Sequence, residues 1–162
     1  MTTYSSLVVD VQVACKIPDI PSAKKIEYWV TTAVEGSGRC LTDGTELSVK
    51  LVDINEMRSL NHEYRNKDEV TNVLSFPAGE IAGLPVEAGQ ALGDIVVCAP
   101  IVSDEAARHG KAVGDHWAHL LVHGTLHLLG YDHESDAEAV EMEGLEARIL
   151  TSNGVPDPYA MS

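Results

Sequence analysis

The chain has 162 residues, 44% of them apolar, with 25 acidic against 11 basic side chains and a formal net charge of −14. That length suits one domain, residues 1–162, with enough chain to bury a real core. No run approaches the ~18 continuous apolar residues of a membrane span, and so strong an acidic excess excludes general electrostatic attraction to a polyanion.

In chain order, MTTYSSLVVD has no basic segment followed by an apolar one, so no secretory leader is expected and a cytoplasmic location is predicted. Residues 7–13, rich in valine, predict a strand. Residues 22–34 predict a helix that opens after Pro21 and closes before Gly36. Leu47, Val49 and Leu51 alternate with polar residues, so 46–52 is expected to be a half-buried strand. Residues 53–64 predict a helix with Asp53 as N-cap and Glu56 three residues on. A short strand, 71–76, is expected to end at Pro77, and 78–91, with three glycines and a proline, to form a loop. An apolar strand is predicted at 92–98 and a helix at 100–109, broken by Gly110. Residues 113–129 predict a central helix, apolar on most of its circumference, with Gly130 just beyond its end. A last helix is expected from about 136 to 152. The order β-α-β-α-β-β-α-α-α predicts an α+β fold: a small mixed four-stranded sheet with five helices. Cys15, Cys40 and Cys98 form no C-x-x-C pair and are expected to be reduced thiols.

The stretch HGTLHLLGYDH, residues 123–133, holds the strongest chemical signal. His123 and His127 are four apart on a helix and project from one face. Gly130 can turn the chain back so that His133 joins them. Three nitrogen ligands with a fourth position left to water is how catalytic zinc sites are built, and imidazole favours zinc over calcium or magnesium. One zinc ion per chain is the expectation. The spacing is that of the metzincin peptidases except at one position, where their general-base glutamate is replaced by Gly124. Zinc still lowers the pKa of water to about 7. A phosphodiester would then need a cation to offset the charge built up during cleavage, and arginine's planar fork suits a phosphate.

Further residues have two readings each. His116 and His119 continue the histidine stripe as supports or a proton shuttle, or as partly buried residues with local hydrogen bonds. Asp132 could hold a ligand imidazole or be a solvated loop acid. Arg58 and Arg65, seven apart on one helix, could be surface charges. Thr71, Asn72 and Ser75 could line a substrate groove, or Asn72 could hold the turn before its strand. Asp94 interrupts an apolar strand, so it should pair with an arginine or face the cleft.

LNHEYRNKDEVTNVLSFP (60–77), LGDIVV (92–97), HGTLHLLGYDH and EMEGLE, taken together, closely resemble the YbeY family of bacterial endoribonucleases and rRNA maturation factors. The resemblance spans about residues 45–150 and departs at no motif position. It implies a zinc hydrolase with His123, His127 and His133 as ligands and Arg65 as the catalytic arginine in the cleft. It also implies cleavage of single-stranded RNA, maturation of the 3′ end of small-subunit rRNA, and a role in ribosome quality control. RNA, the small ribosomal subunit and its assembly factors would then be the partners. Two other functions remain open on sequence: a zinc peptidase, and a non-catalytic ribosome-assembly factor whose zinc is structural.

Overall fold

Strands β1 (Val8–Ala14), β2 (Glu46–Val52), β3 (Val73–Pro77) and β4 (Ala91–Cys98) form one mixed sheet in the order β1-β2-β4-β3. β1, β2 and β4 run parallel, and β3 is antiparallel to β4 at the edge. The computed structural model describes residues 7–41, 44–78 and 91–160. Among them are five helices: α1 (Ala23–Ser37), α2 (Ile54–Arg65), α3 (Ala99–Arg108), α4 (Val113–Leu128) and α5 (Asp136–Ser152). The α+β expectation is met. Most of the loop expected at 78–91 lies outside the described residues.

The period of two in the strands decides which helix packs where. Leu47, Val49 and Leu51 of β2 and Ile95 and Val97 of β4 face one side, where they meet Ile26 and Val30 of α1 and Trp117, Leu120 and Leu121 of α4. Val96 and Cys98 of β4 face the other side and are covered by Met57 of α2, with Phe76 of β3 beside them. A further apolar layer lies beyond the first helices: Ala33 and Val34 of α1 and Ala118, Val122 and Leu126 of α4 pack on Met142, Leu145, Ile149 and Leu150 of α5. α4 is therefore buried on nearly all sides, as its all-round apolar composition requires.

Two expectations need correction. α1 runs through Gly36 and ends at Gly38, which takes the left-handed conformation with φ 74°. Gly36 serves contact instead: a Cβ there would stand 2.5 Å from Ile149 Cγ1 of α5. Asp94 meets neither an arginine nor the cleft. Its carboxylate accepts a hydrogen bond from the Ser48 hydroxyl of the neighbouring strand. A half-buried acid is better off with a donor, and the register that pairs Ser48 with Asp94 supplies one.

The three cysteines are free. Burial raises the thiol pKa of Cys15 and of Cys98, which keeps both protonated and unreactive. No helix among the described residues is long and apolar enough to cross a membrane.

Candidate metal centre and cleft

α4 places His116, His119, His123 and His127 along one stripe. Its end is built by Gly130, whose φ of 103° suits glycine. The Gly130 N–H donates to His127 O at 3.0 Å, and the Tyr131 N–H donates to Leu126 O at 3.0 Å. This pair of bonds is a Schellman motif. The reversal carries His133 back beside the helix: its ring centroid lies 5.0 Å from that of His127 and 5.8 Å from that of His123. One nitrogen from each of these three imidazoles falls within 4.8 Å of the others, a grouping able to hold a metal ion.

The hydrogen bonds decide which nitrogens face inward. His123 Nδ1 lies 3.0 Å from Glu146 Oε2, and His127 Nδ1 lies 3.0 Å from Tyr131 O. A carboxylate and a carbonyl only accept, so each Nδ1 carries the proton. In the neutral rings each Nε2 then offers a lone pair. These two Nε2 atoms lie 3.1 Å apart. Two lone pairs at that distance repel unless a proton or a metal cation lies between them. Tetrahedral zinc with Zn–N near 2.0–2.1 Å sets nitrogens about 3.4 Å apart. The donor set therefore fits a cation of this kind. Burial first, and then His123 and His133, hold the His127 pKa below its usual value, so this imidazole stays neutral at neutral pH.

Glu146 is the residue that sequence reasoning missed. It is fully buried in α5 and accepts from His119 Nε2 (2.9 Å), His123 Nδ1 (3.0 Å) and the Tyr159 hydroxyl (2.7 Å). Burial alone would raise its pKa, but the bonds from His119, His123 and Tyr159 outweigh it and bring the value down to about 2. Burial and the adjacent Glu146 raise the Tyr159 pKa, so the phenol remains a donor. The signal was present: an acid interrupts the apolar stripe Met142, Leu145, Ile149 and Leu150. Tyr159 lies in the C-terminal tail with no comparable pattern around it.

Other residues land differently from their sequence readings. The carboxylate that meets one of the three clustered imidazoles is Glu146. Asp132 Oδ1 instead accepts from the main-chain N–H of His133, at 2.8 Å. His119 bonds Glu146 and so stands one step behind His123. His116 is further away, with Nε2 2.9 Å from Glu105 Oε1 of α3. Burial lowers its pKa despite that carboxylate.

A cleft of ≈670 Å3 opens over the histidines, with Arg65, Thr71, Asn72 and Ser75 along its walls. Arg65, the last residue of α2, lies with its guanidinium carbon 4.6 Å above the centre of the Phe76 ring. It donates to Ser75 O at 2.8 Å and to Tyr64 O at 3.0 Å. Arg58 pairs with Asp68 at 2.8 Å on the exposed side of α2. The Ser75 hydroxyl donates to Gly124 O at 3.0 Å and ties β3 to α4. Gly124 makes this close approach possible, since a Cβ there would lie 3.1 Å from Ile95 Cγ2 and 3.3 Å from Ser75 Oγ. The position that carries a base in metzincins thus points into the sheet.

The fold and site define a class: an α+β protein with a candidate three-imidazole cation centre and an arginine on the rim of its cleft. The comparisons narrow it. The family model described as endoribonuclease YbeY matches residues 12–154, and the chain belongs to that family. It is 56% identical over 139 residues to an endoribonuclease YbeY of Halorhodospira halophila, covering 86% of this chain and 88% of that one. A second, from Xanthomonas oryzae pv. oryzae, is 50% identical over 161 residues, 98% of each chain. A solution structure of a Thermotoga maritima protein shares the fold, with TM-score 0.54 and 24% identity over 93% of this chain and 99% of that one.

Proposed function

We propose that this protein is a metal-dependent endoribonuclease acting on single-stranded RNA, with residues 1–162 working as one domain. The observation that carries the reading is the pair of facing Nε2 atoms at 3.1 Å, each turned inward by an acceptor behind its ring. His123, His127 and His133 would hold the ion, and an all-imidazole donor set favours one zinc per chain. When bound, the ion supplies Lewis-acid polarisation of a phosphate oxygen and of water. Arg65 does the rest of the electrostatic work. Phe76 and the Ser75 carbonyl fix its plane on the cleft wall, and a planar guanidinium suits a phosphate. Glu146 orients His123 and makes its Nε2 a stronger donor. Thr71, Asn72 and Ser75 form the wall along which the strand would lie.

The peptidase alternative is disfavoured by the edge of the sheet. The Ala78 N–H donates to Leu92 O and the Cys98 N–H to Asn72 O, so the even-numbered residues of β3 bond to β4. Val73, Ser75 and Pro77 therefore turn their main-chain groups to the open edge along the cleft. A peptide bound as an added strand would need them. Arg65 already occupies the Ser75 carbonyl, and Pro77 has no N–H to give. Gly124 supplies no base. A purely structural zinc is disfavoured because the three nitrogens open onto a cleft.

We take this activity to serve 3′-end maturation of small-subunit rRNA and ribosome quality control in the cytoplasm, alongside the small subunit and its assembly factors, a reading that the family resemblance supports. The direct test is purified protein on single-stranded RNA and on casein, each with and without a chelator. Cleavage of RNA alone, stopped by the chelator, supports the reading. Cleavage of casein, or of neither, rejects it.

A further inference from the structure

One polar network beside the cleft is not used by the ligand histidines. Glu105 of α3 is its hub: Oε1 accepts from Asn72 Nδ2 at 3.0 Å and faces His116 Nε2 at 2.9 Å. His116 is buried, and its Nδ1 has no hydrogen-bond partner. The ring is thereby held as the Nε2–H tautomer, because a proton on Nδ1 would be a buried donor with nothing to meet. Both groups facing Glu105 donate, and a carboxylate only accepts. The polarity of the Asn72 amide is therefore set: its NH2 turns to Glu105, and Oδ1 is the atom left over. Among the described residues no group donates to Oδ1, and it is not one of the sealed, unpartnered atoms. Asn72 lines the cleft.

We infer that Glu105 is a positioning residue that presents Asn72 Oδ1 to the substrate as a hydrogen-bond acceptor for a ribose 2′-hydroxyl. This deepens the endoribonuclease reading and rests on it. The chemistry of an RNA strand limits what an acceptor can meet. Phosphate oxygens only accept, so Oδ1 cannot bind the group that Arg65 binds. The donors that remain are base N–H groups and the 2′-hydroxyl, and only the latter is present on every nucleotide and absent from DNA. Asn72 lies three residues before Ser75, whose carbonyl Arg65 holds, on the same cleft wall. A phosphate on Arg65 brings its flanking riboses along that wall.

The test is equilibrium binding, read by fluorescence anisotropy in chelator so that the strand stays intact. The probes are a single-stranded RNA oligonucleotide and a set of versions each lacking one 2′-hydroxyl. For wild type, one deoxy position should weaken binding about three- to tenfold, the worth of one neutral hydrogen bond. Asn72→Ala should bind the all-ribose strand that much more weakly and be indifferent to that deoxy position. Glu105→Leu should share the indifference, although Asn72 is still present; a merely structural role would not produce it. If Glu105→Leu does not fold, the coupling between Asn72→Ala and the deoxy position decides alone. Equal deoxy penalties in wild type and Asn72→Ala at every position would overturn the inference, as would coupling to a base substitution instead. Failure of wild type to bind any RNA would overturn the endoribonuclease reading as well, so the two failures are distinguishable.

Discussion

Arg65 stacks on an aromatic ring and spends two donors on main-chain carbonyls, an expensive way to hold a surface charge but a good way to aim one. Preorganised donors of this kind are worth about two to three orders of magnitude in rate in other enzymes. Arg65→Ala should lose RNA cleavage on that scale while metal content and melting temperature stay near wild type, and Arg65→Lys should recover only part. Arg58→Ala is the matched control: its partner is Asp68 on the exposed face, so cleavage should change only modestly. Loss of metal or of folding in Arg65→Ala would instead make the arginine a brace for β3. Glu146 acts through His123. Glu146→Gln should weaken metal affinity about 10- to 100-fold, which a competition titration against a chromophoric chelator would read; unchanged affinity would reduce Glu146 to core polarity. The histidines were legible because their spacing follows from helix geometry plus one glycine. The burial of Glu146 was signalled by the apolar stripe it interrupts, but its meeting with His123, like that of Glu105 with Asn72, was not, because each acid is brought in by a different helix and no spacing along the chain records the contact.

At the scale of elements, α4 joins the parts of the site. One flank holds the histidines, and another packs on β3 and β4 at Gly124. Gly124→Glu would force a side chain and a charge between Ile95 and Ser75. It should cost about 3 kcal/mol or more of stability and create no peptidase, as thermal melting and a casein assay would show. A near-wild-type melting temperature would mean that β3 yields. α3 and α4 meet through Glu105 and His116. The His116 pKa is lowered in the fold, so its contribution to stability is complete above about pH 6.5, the ordinary histidine value. That contribution is lost as the pH falls through the lowered value, because the buried ring must then charge. Removing it by His116→Gln should flatten the fall in melting temperature between pH 7 and pH 5, relative to wild type; an identical slope would exclude this histidine as a source. Most of the fold could be read from periodicity, since strand alternation and the all-round apolar α4 are local signals. The end of α1 could not: Gly36 resembles a stop, and only the contact with Ile149 explains why the helix passes through it. Strand order was also hidden, because pairing β4 between β2 and β3 is a property of the assembled sheet.

For the whole molecule, a net charge of −14 disfavours long-range attraction to RNA, so attraction must come from local groups such as those of the cleft. Binding should therefore depend weakly on salt. One or two phosphate contacts on a single strand correspond to a slope of log K against log salt of about −0.7 to −1.4, and a slope several times steeper would reveal a basic surface elsewhere or a carrier. On the function proposed above, the histidine cluster and the adjacent arginine would be what lets an acidic chain cleave RNA. The most direct measurement strips the protein with a chelator, returns zinc in steps, and follows bound metal and RNA cleavage together, with His127→Ala in parallel. The expected result is cleavage that rises with the bound ion and levels off near one equivalent per chain, with His127→Ala holding little metal and cleaving little. Full cleavage by the stripped protein, or full metal retention by His127→Ala, would contradict it.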